Sequence, residues 1–193
     1  MIRAIIFDCF GVLVTDALQA IYDELNISDP QAAAQISDLV RASNKGLLDP
    51  EWSNQQIAEI LGVSLAEYQQ RIRYGEAKNT QLLAYINELH AQYKTAILSN
   101  ISATGLAKRF TSAELRDCFD TVVSSGEIGF AKPEAEAYEI AADRLGVRLD
   151  ECVFTDDKAE FCEAARRVGM QAIVFESTAQ FRRDLSTLMT TSN

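Results

Sequence analysis

Five short runs of apolar residues recur along the chain, and a polar residue closely follows each of them. The runs cover residues 4–7, 96–98, 121–123, 152–154 and 172–175. They contain β-branched residues and do not alternate with polar ones, which is typical of strands buried on both faces of a parallel sheet. The pattern therefore predicts five parallel strands.

Segments with helical periodicity lie between the predicted strands. The clearest repeats are Leu82, Leu83, Ile86 and Leu89, then Tyr138, Ala141, Ala142 and Leu145. An alternation of strands and helices predicts right-handed crossovers with helices on both faces of the sheet. We therefore expect an α/β fold, a Rossmann-like three-layer core with a parallel sheet, in which ligands bind beyond the carboxyl ends of the strands.

Residues 15–78 follow a different pattern, with amphipathic helical segments at 18–25, 32–42, 54–61 and 65–72 and no buried-strand run. Asp29 before Pro30, and Ser64 three residues before Glu67, are helix-start signals. The sequence predicts a core from residues 1–14 and 79–193 and a small all-helical cap insertion at 15–78. Candidate substrate contacts in the cap, each of which is more often a surface or packing residue, are Arg41, Lys45, Trp52, Arg71 and Arg73.

Composition narrows the classes of partner. The 193 residues are 48% hydrophobic and 24% charged, which indicates a globular chain of one domain with a modest insertion. The net charge of −10 opposes binding to nucleic acid or to an anionic membrane surface. The four cysteines lack metal-site spacing and the chain has one histidine, so we expect reduced thiols, no structural zinc and a soluble cytoplasmic protein.

Polar residues that could take part in catalysis or binding lie at or near the ends of the predicted strands. An acidic residue after a buried strand, such as Asp8, costs free energy unless it is paired or does chemistry, and Gly11 allows the turn that follows it. The other elements are Ser99 with Asn100, Lys132 with a proline that we expect in the first turn of the next helix, and Asp156 with Asp157.

In their order along the chain, these four elements resemble the four motifs of the haloacid dehalogenase superfamily of hydrolases. The helical insertion is similar to the small cap of that superfamily, and the resemblance extends over nearly the whole chain. It implies an enzyme, a phosphatase of a small phosphorylated metabolite, with a Rossmann-like core.

The resemblance also implies roles for the motif residues. Asp8 would be the nucleophile and form an aspartyl intermediate, while Lys132 would neutralise developing negative charge. Ser99 and the backbone around Asn100, together with Lys132, would bind the transferring group. Three carboxylates beside one lysine would repel one another unless a divalent cation is bound, so the expected Mg²⁺ ligands are Asp8, Asp156, Asp157 and the backbone carbonyl of Phe10.

Phe10 departs from the phosphatase pattern, in which a second aspartate two residues after the nucleophile acts as general acid and base. Its loss removes assistance worth roughly 10²–10⁴ in rate, so we expect aryl or acyl phosphates to be better substrates than alkyl phosphates. Two alternatives stay open. A 2-haloacid dehalogenase similarly has an aromatic residue at this position, although the acidic pair opposes expulsion of an anion, and a member without catalytic activity would be a binding protein.

Overall fold

The computed structural model describes residues 1–191, apart from the side chains of residues 26, 27 and 191. No helix in this described part of the chain has the length and apolar character needed to cross a bilayer. In chain order the strands and helices are β1 (Ala4–Phe7), α1 (Ala17–Ser28), α2 (Pro30–Asn44), α3 (Pro50–Ile60), α4 (Leu65–Gly75), α5 (Thr80–His90), β2 (Lys94–Ser99), α6 (Ser112–Cys118), β3 (Thr121–Ser124), α7 (Ser125–Ile128), α8 (Ala135–Leu145), β4 (Cys152–Asp156), α9 (Ala159–Arg167), β5 (Gln171–Val174) and α10 (Thr178–Thr191).

The five strands form one parallel sheet in the order β3-β2-β1-β4-β5, so β1 lies at the centre. Phe7, the last residue of β1, stands opposite Ile97 of β2 and Thr155 of β4. The carboxyl ends of the three central strands therefore meet at one edge of the sheet. The predicted α/β fold with a parallel sheet is confirmed.

Alternating side chains of the central strand enter two different apolar cores. Ile5 and Phe7 join the core beneath α5 and α10. Ala4 and Ile6 join the core beneath α8 and α9, where small residues let the helices approach the sheet closely. Because both faces are covered, the strands contain continuous apolar runs, as the sequence pattern indicates.

Helices α1–α4 pack around a separate apolar cluster that contains Ile36, Ile57 and Tyr68. The expected helix-start signals act as N-caps: Asp29 accepts a hydrogen bond from the backbone N–H of Ala32, and Ser64 accepts one from Glu67. The segment with these helices leaves and rejoins the core at adjacent points. There the N–H of Thr15 donates a hydrogen bond to the carbonyl of Ala77, at 3.0 Å. Residues 192 and 193 of the predicted core range lie outside the described residues.

One predicted helix boundary is wrong. Pro133 does not lie in the first turn of a helix, since α8 begins at Ala135 and Glu134 occupies the position before it. The Glu134 carboxylate accepts a hydrogen bond from the N–H of Ala131, at 2.7 Å, which closes a tight turn over residues 131–134. This turn, and not the helix itself, carries Lys132.

Truncation of Phe181 tests the core beneath α10. Its buried ring meets the Phe7 ring edge-on at a centroid distance of 5.6 Å. We expect Phe181→Ala to lower the free energy of unfolding by about 3–5 kcal/mol because it leaves a cavity, measured by urea denaturation. Tyr74→Ala, at a side chain 79% exposed, is the matched control and should change stability little. Similar losses in both variants would contradict this account of the core.

Candidate active site

Four motif segments converge at the carboxyl edge of the sheet. Asp8 follows β1, Ser99 ends β2 and Asp156 ends β4. Lys132 reaches the same place from the turn between α7 and α8, and all four of these residues are at least 94% buried. The structure thus brings together side chains that are far apart in sequence.

The Lys132 ammonium lies between two carboxylates. Its Nζ is 2.7 Å from Oδ1 of Asp8 and 2.5 Å from Oδ2 of Asp156. The rings of Phe154 and Phe161 lie 5.3 and 5.1 Å from the same nitrogen, so aromatic carbon surrounds the ion pairs. Burial acts to lower the pKa of Lys132, but the two carboxylates outweigh it and hold that pKa above its usual value. Lys132 therefore stays protonated.

Asn100 holds the backbone of Lys132 in place. Its side-chain Oδ1 accepts a hydrogen bond from the Lys132 N–H, and its Nδ2 donates to the Lys132 carbonyl, both at 2.8 Å. This amide side chain is thus engaged with the lysine turn, whereas the resemblance assigns the backbone around Asn100 to the transferring group. Asn100 positions Lys132, and a contact of Asn100 with a ligand would have to come from its backbone.

Burial has the largest effect on the pKa of Asp8. Burial raises the pKa of its carboxyl from 3.8 to about 7, Lys132 lowers that pKa and the Asp156 carboxylate raises it. One lysine is therefore too little positive charge to offset the burial of these acids. The site would be stabilised by an additional cation.

The second member of the acidic pair has an oxygen free for such a cation. Asp156 uses Oδ2 on Lys132, and its Oδ1 accepts a hydrogen bond from the N–H of Lys158, at 2.9 Å. Oδ1 of Asp157 is buried and has no hydrogen-bond partner among the described residues. Asp8, Asp156 and Asp157 each offer an oxygen, and these atoms lie within 4.8 Å of one another. An all-oxygen donor set of this kind fits Mg²⁺.

Gly11 makes room for Asp157. Its φ of +81° is in the left-handed region, and a Cβ at this position would stand 2.4 Å from the Asp157 carboxyl group. The glycine of the first motif therefore has a packing role that its turn alone does not reveal. The hydroxyl oxygen of Ser99 is also buried without a hydrogen-bond partner in the described part of the chain.

Phe10 belongs to a cluster that joins the core to the helical insertion. The Arg109 guanidinium carbon lies 4.8 Å from the centre of the Phe10 ring, a cation–π contact. Glu76, just after α4, accepts hydrogen bonds from Nε and Nη2 of Arg109, at 3.0 and 2.5 Å. No sequence motif indicated Arg109 or Glu76, because their meeting depends on how α4 and the loop after β2 fold together.

A cavity of about 710 Å³ lies between the core and helices α1–α4. Seven basic and four acidic side chains line it, although the whole chain has a net charge of −10. Such a lining attracts anions. Of the five predicted substrate contacts in the cap, Arg41, Lys45 and Arg73 line this cavity and Trp52 and Arg71 are not among its lining residues.

Cys9, next to Asp8 in sequence, is not placed as a nucleophile. Its side chain is fully buried in the core beneath α5 and α10. Burial raises the pKa of its thiol, and the nearby Asp8 carboxylate raises it further. The thiol therefore stays protonated, which suits a packing residue.

Comparisons with known proteins bear on the family and the fold of the chain. A family model described as haloacid dehalogenase-like hydrolase matches residues 2–169. A phosphatase of Mycobacterium tuberculosis is 41% identical over 100 residues, which are 49% of this chain and 46% of that protein, so the match spans less than half of the relative. A HAD family enzyme of Bacteroides thetaiotaomicron, solved in complex with magnesium and inorganic phosphate, has a TM-score of 0.74 at 21% identity, with 92% of this chain and 96% of that chain covered. L-2-haloacid dehalogenase of Xanthobacter autotrophicus, with chloropropionic acid covalently bound, has a TM-score of 0.64 at 24% identity, with 97% and 83% covered.

Substitution of Asp8 tests the electrostatics of the site. The folded-state pKa of this acid is raised, so its ionisation destabilises the fold, and the loss grows as pH rises from about 4 through about 7. In the presence of a chelator, the unfolding free energy of Asp8→Asn relative to the wild type should rise by roughly 1–3 kcal/mol between pH 5 and pH 8. Urea denaturation at both pH values measures this change. Asp143→Asn, at an exposed site, should show none, and an equal difference at both pH values for Asp8→Asn would exclude desolvation as the cause.

Proposed function

The chain belongs to the haloacid dehalogenase-like hydrolases, and on that basis we propose that it is a Mg²⁺-dependent phosphatase of a small phosphorylated metabolite. The observation that carries the proposal is the trio of carboxylates, each offering an oxygen within 4.8 Å of the others, beside one lysine. Such a trio needs a cation, and a cation with a lysine suits a phosphoryl group. The cation and the phosphate bound to the structural neighbour from Bacteroides thetaiotaomicron support the same choice.

In this proposal an Asp8 oxygen attacks phosphorus as the bond from phosphorus to the ester oxygen breaks. The product is an aspartyl phosphate, and attack by water on its phosphorus then releases inorganic phosphate and regenerates the carboxylate. Lys132, the Ser99 hydroxyl and the backbone at Asn100 bind the phosphoryl oxygens. The Ser99 oxygen, buried without a partner among the described residues, is suited to this contact.

Asp8, Asp157 and the backbone carbonyl of Phe10 would hold the cation, and Asp156 stands beside them. Both oxygens of Asp156 already accept hydrogen bonds, so we assign it mainly to the orientation of Lys132. The unpartnered Oδ1 of Asp157 is the better ligand. When bound, Mg²⁺ would neutralise negative charge on the phosphoryl oxygens.

Phe10 restricts the leaving group. Its side chain cannot protonate the departing oxygen, so this oxygen has to leave as an anion or take a proton from water. A phenolate or carboxylate leaves more readily than an alkoxide, because it is a weaker base. We therefore propose aryl or acyl phosphates as the preferred substrates.

A 2-haloacid dehalogenase is the second candidate, and Phe10 is the observation that favours it. Halide leaves without a proton, so a missing general acid is no handicap. The buried carboxylates oppose this function, since expulsion of an anion beside them is electrostatically unfavourable. The basic cavity lining suits a haloacid and a phosphate equally well.

We also propose a cytoplasmic location and a small-molecule partner. The four cysteines are free and buried, which is typical of proteins in a reducing compartment. A net charge of −10 disfavours nucleic acid and anionic lipid as partners.

Phosphate release decides between the two functions. Acetyl phosphate and phenyl phosphate should be hydrolysed with Mg²⁺, and a chelator or Asp8→Asn should reduce the rate at least 10³-fold, of the order expected for loss of a nucleophile or metal. Asp143→Asn is the matched control because its carboxylate is exposed on α8. Chelator-resistant halide release from 2-chloropropionate would favour the dehalogenase instead.

Replacement of Phe10 tests the missing general acid. Phe10→Asp should raise kcat/KM for an alkyl phosphate such as glycerol phosphate by about 10²–10⁴, because it supplies a proton donor. The gain on phenyl phosphate should be smaller, and Phe10→Leu should give no such gain on either substrate. If Phe10→Leu and Phe10→Asp respond alike, steric change and not acid catalysis explains the effect. A wild type inactive on every substrate, with Phe10→Asp active, would indicate a binding protein.

A further inference from the structure

The cavity is much larger than a phosphoryl group. Its volume of about 710 Å³ falls within the range of roughly 300–1,000 Å³ that accommodates whole small-molecule ligands. The phosphoryl group beside Asp8 would fill a minor part of this volume. The remaining walls therefore carry information about the organic group of the substrate.

One wall comes from the inward faces of helices α1–α4 and is apolar. We define the cap wall as six side chains that line the cavity and belong to the apolar cluster of these helices: Leu18, Tyr22, Val40, Ile57, Tyr68 and Ile72. Leu18 and Tyr22 are four residues apart on α1, and Tyr68 and Ile72 are four apart on α4, so each pair shares one helix face. The apolar cluster of the cap is thus open to the cavity on this side.

The protein itself does not fully cover the cap wall. Leu18, Tyr22, Val40 and Ile72 are half-buried although they pack against the buried members of the cluster. Each of them also lines the cavity. Burying this remaining apolar surface under a ligand would be favourable, at roughly 25 cal/mol per Å².

Tyr68 is an uncharged member of the cap wall. The residue is 4% exposed and lines the cavity. Burial raises the pKa of this phenol to about 12, so it remains neutral. Polar residues of α2–α4 also line the cavity: Ser43 and Ser53 are buried, whereas Arg41, Gln69 and Arg73 are exposed.

The core adds aromatic carbon between the cap wall and the nucleophile. Phe10 and Phe161 both line the cavity and are half-buried. Phe10 stands two residues after Asp8, so an organic group bonded to the phosphoryl oxygen would meet carbon near the reaction centre. The apolar lining is therefore continuous with the phosphoryl site within one cavity.

We propose that the organic group of the substrate is apolar, an aryl group or the hydrocarbon chain of an acyl group, and that it packs on the cap wall. This inference rests on the proposed function for the phosphoryl end of the substrate. A polyhydroxylated group such as a sugar would leave hydroxyl groups unpaired against the four aliphatic side chains of the cap wall, which costs binding free energy. The cap wall thus selects apolar phosphates over sugar phosphates.

Binding of alkylphosphonates measures the preference without turnover. Titration calorimetry with Mg²⁺ present should show the dissociation constant falling about fourfold per added methylene from methyl- to hexylphosphonate. Glucose 6-phosphate should bind more weakly than hexylphosphonate. A series without dependence on chain length, or tighter binding of the sugar phosphate, would overturn the proposal.

Two variants on α4 locate the effect. Ile72→Ser removes part of the cap wall and should reduce the ratio of hexyl- to methylphosphonate affinity by about tenfold. Tyr74→Ser changes an exposed residue on the same helix and should leave this ratio unaltered. Equal ratios in both variants would place the alkyl chain elsewhere and contradict the assignment. Because the ratio is taken within each variant, a partial loss of folded protein does not affect it.

Acetyl phosphate separates this inference from the proposed function, because its organic group is too small to reach across the cavity. If acetyl phosphate is hydrolysed with Mg²⁺ but phosphonate affinity does not depend on chain length, the phosphatase proposal stands and the proposal of an apolar organic group is wrong. If phosphonate affinity rises steeply with chain length but no phosphate is hydrolysed, the apolar site stands and the phosphatase proposal is wrong. Failure of both measurements would reject both proposals.

Discussion

The buried contact of Lys132 with Asp8 and Asp156 is the interaction on which the site depends. It joins the ends of β1 and β4 to the turn over residues 131–134, and Asn100 adds the end of β2 through two hydrogen bonds. Removal of one partner would leave a buried charge uncompensated, which typically costs 3–5 kcal/mol. The lysine therefore acts structurally as well as chemically, because it fixes the relative positions of the three central strand ends.

The same contact leaves the site with too little positive charge. Burial raises the pKa of Asp8 to about 7 and that of Asp157 to about 6, in both cases more than neighbouring lysines lower it. The fold thus tolerates an arrangement that is unfavourable without a ligand. Functional sites commonly store free energy in this way. The basic side chains that line the cavity offset the negative charge of the three carboxylates at longer range. The site can therefore attract an anion although the whole chain has a net charge of −10.

Much of the fold could be predicted from the sequence, because buried parallel strands leave a clear pattern and their ends share one edge. That rule places Asp8, Ser99 and Asp156 together, and the structure does the same. It does not reach the contact of Arg109 with Phe10 and Glu76, since two segments 33 residues apart must fold before these side chains meet. The prediction that Pro133 lies in the first turn of a helix is wrong for a local reason. The N–H of Ala131 donates a hydrogen bond to the Glu134 carboxylate and closes a turn before the helix begins. Asp156 contacts Lys132 whereas Asp157 has an oxygen without a partner among the described residues. This difference depends on the directions of the two side chains, which the sequence of two adjacent aspartates does not reveal.

The strand order has a consequence for the protein during its synthesis. β1 is central, yet its neighbour β4 follows about 145 residues later in the chain. At roughly 5–20 residues per second, the ribosome needs on the order of ten seconds to deliver β4 after β1. Both edges of β1 lack their partners until β2 has been synthesised, and after that one edge stays open to incorrect partners until β4 follows. The segment around Asp8 is thus synthesised well before the strand that completes its environment.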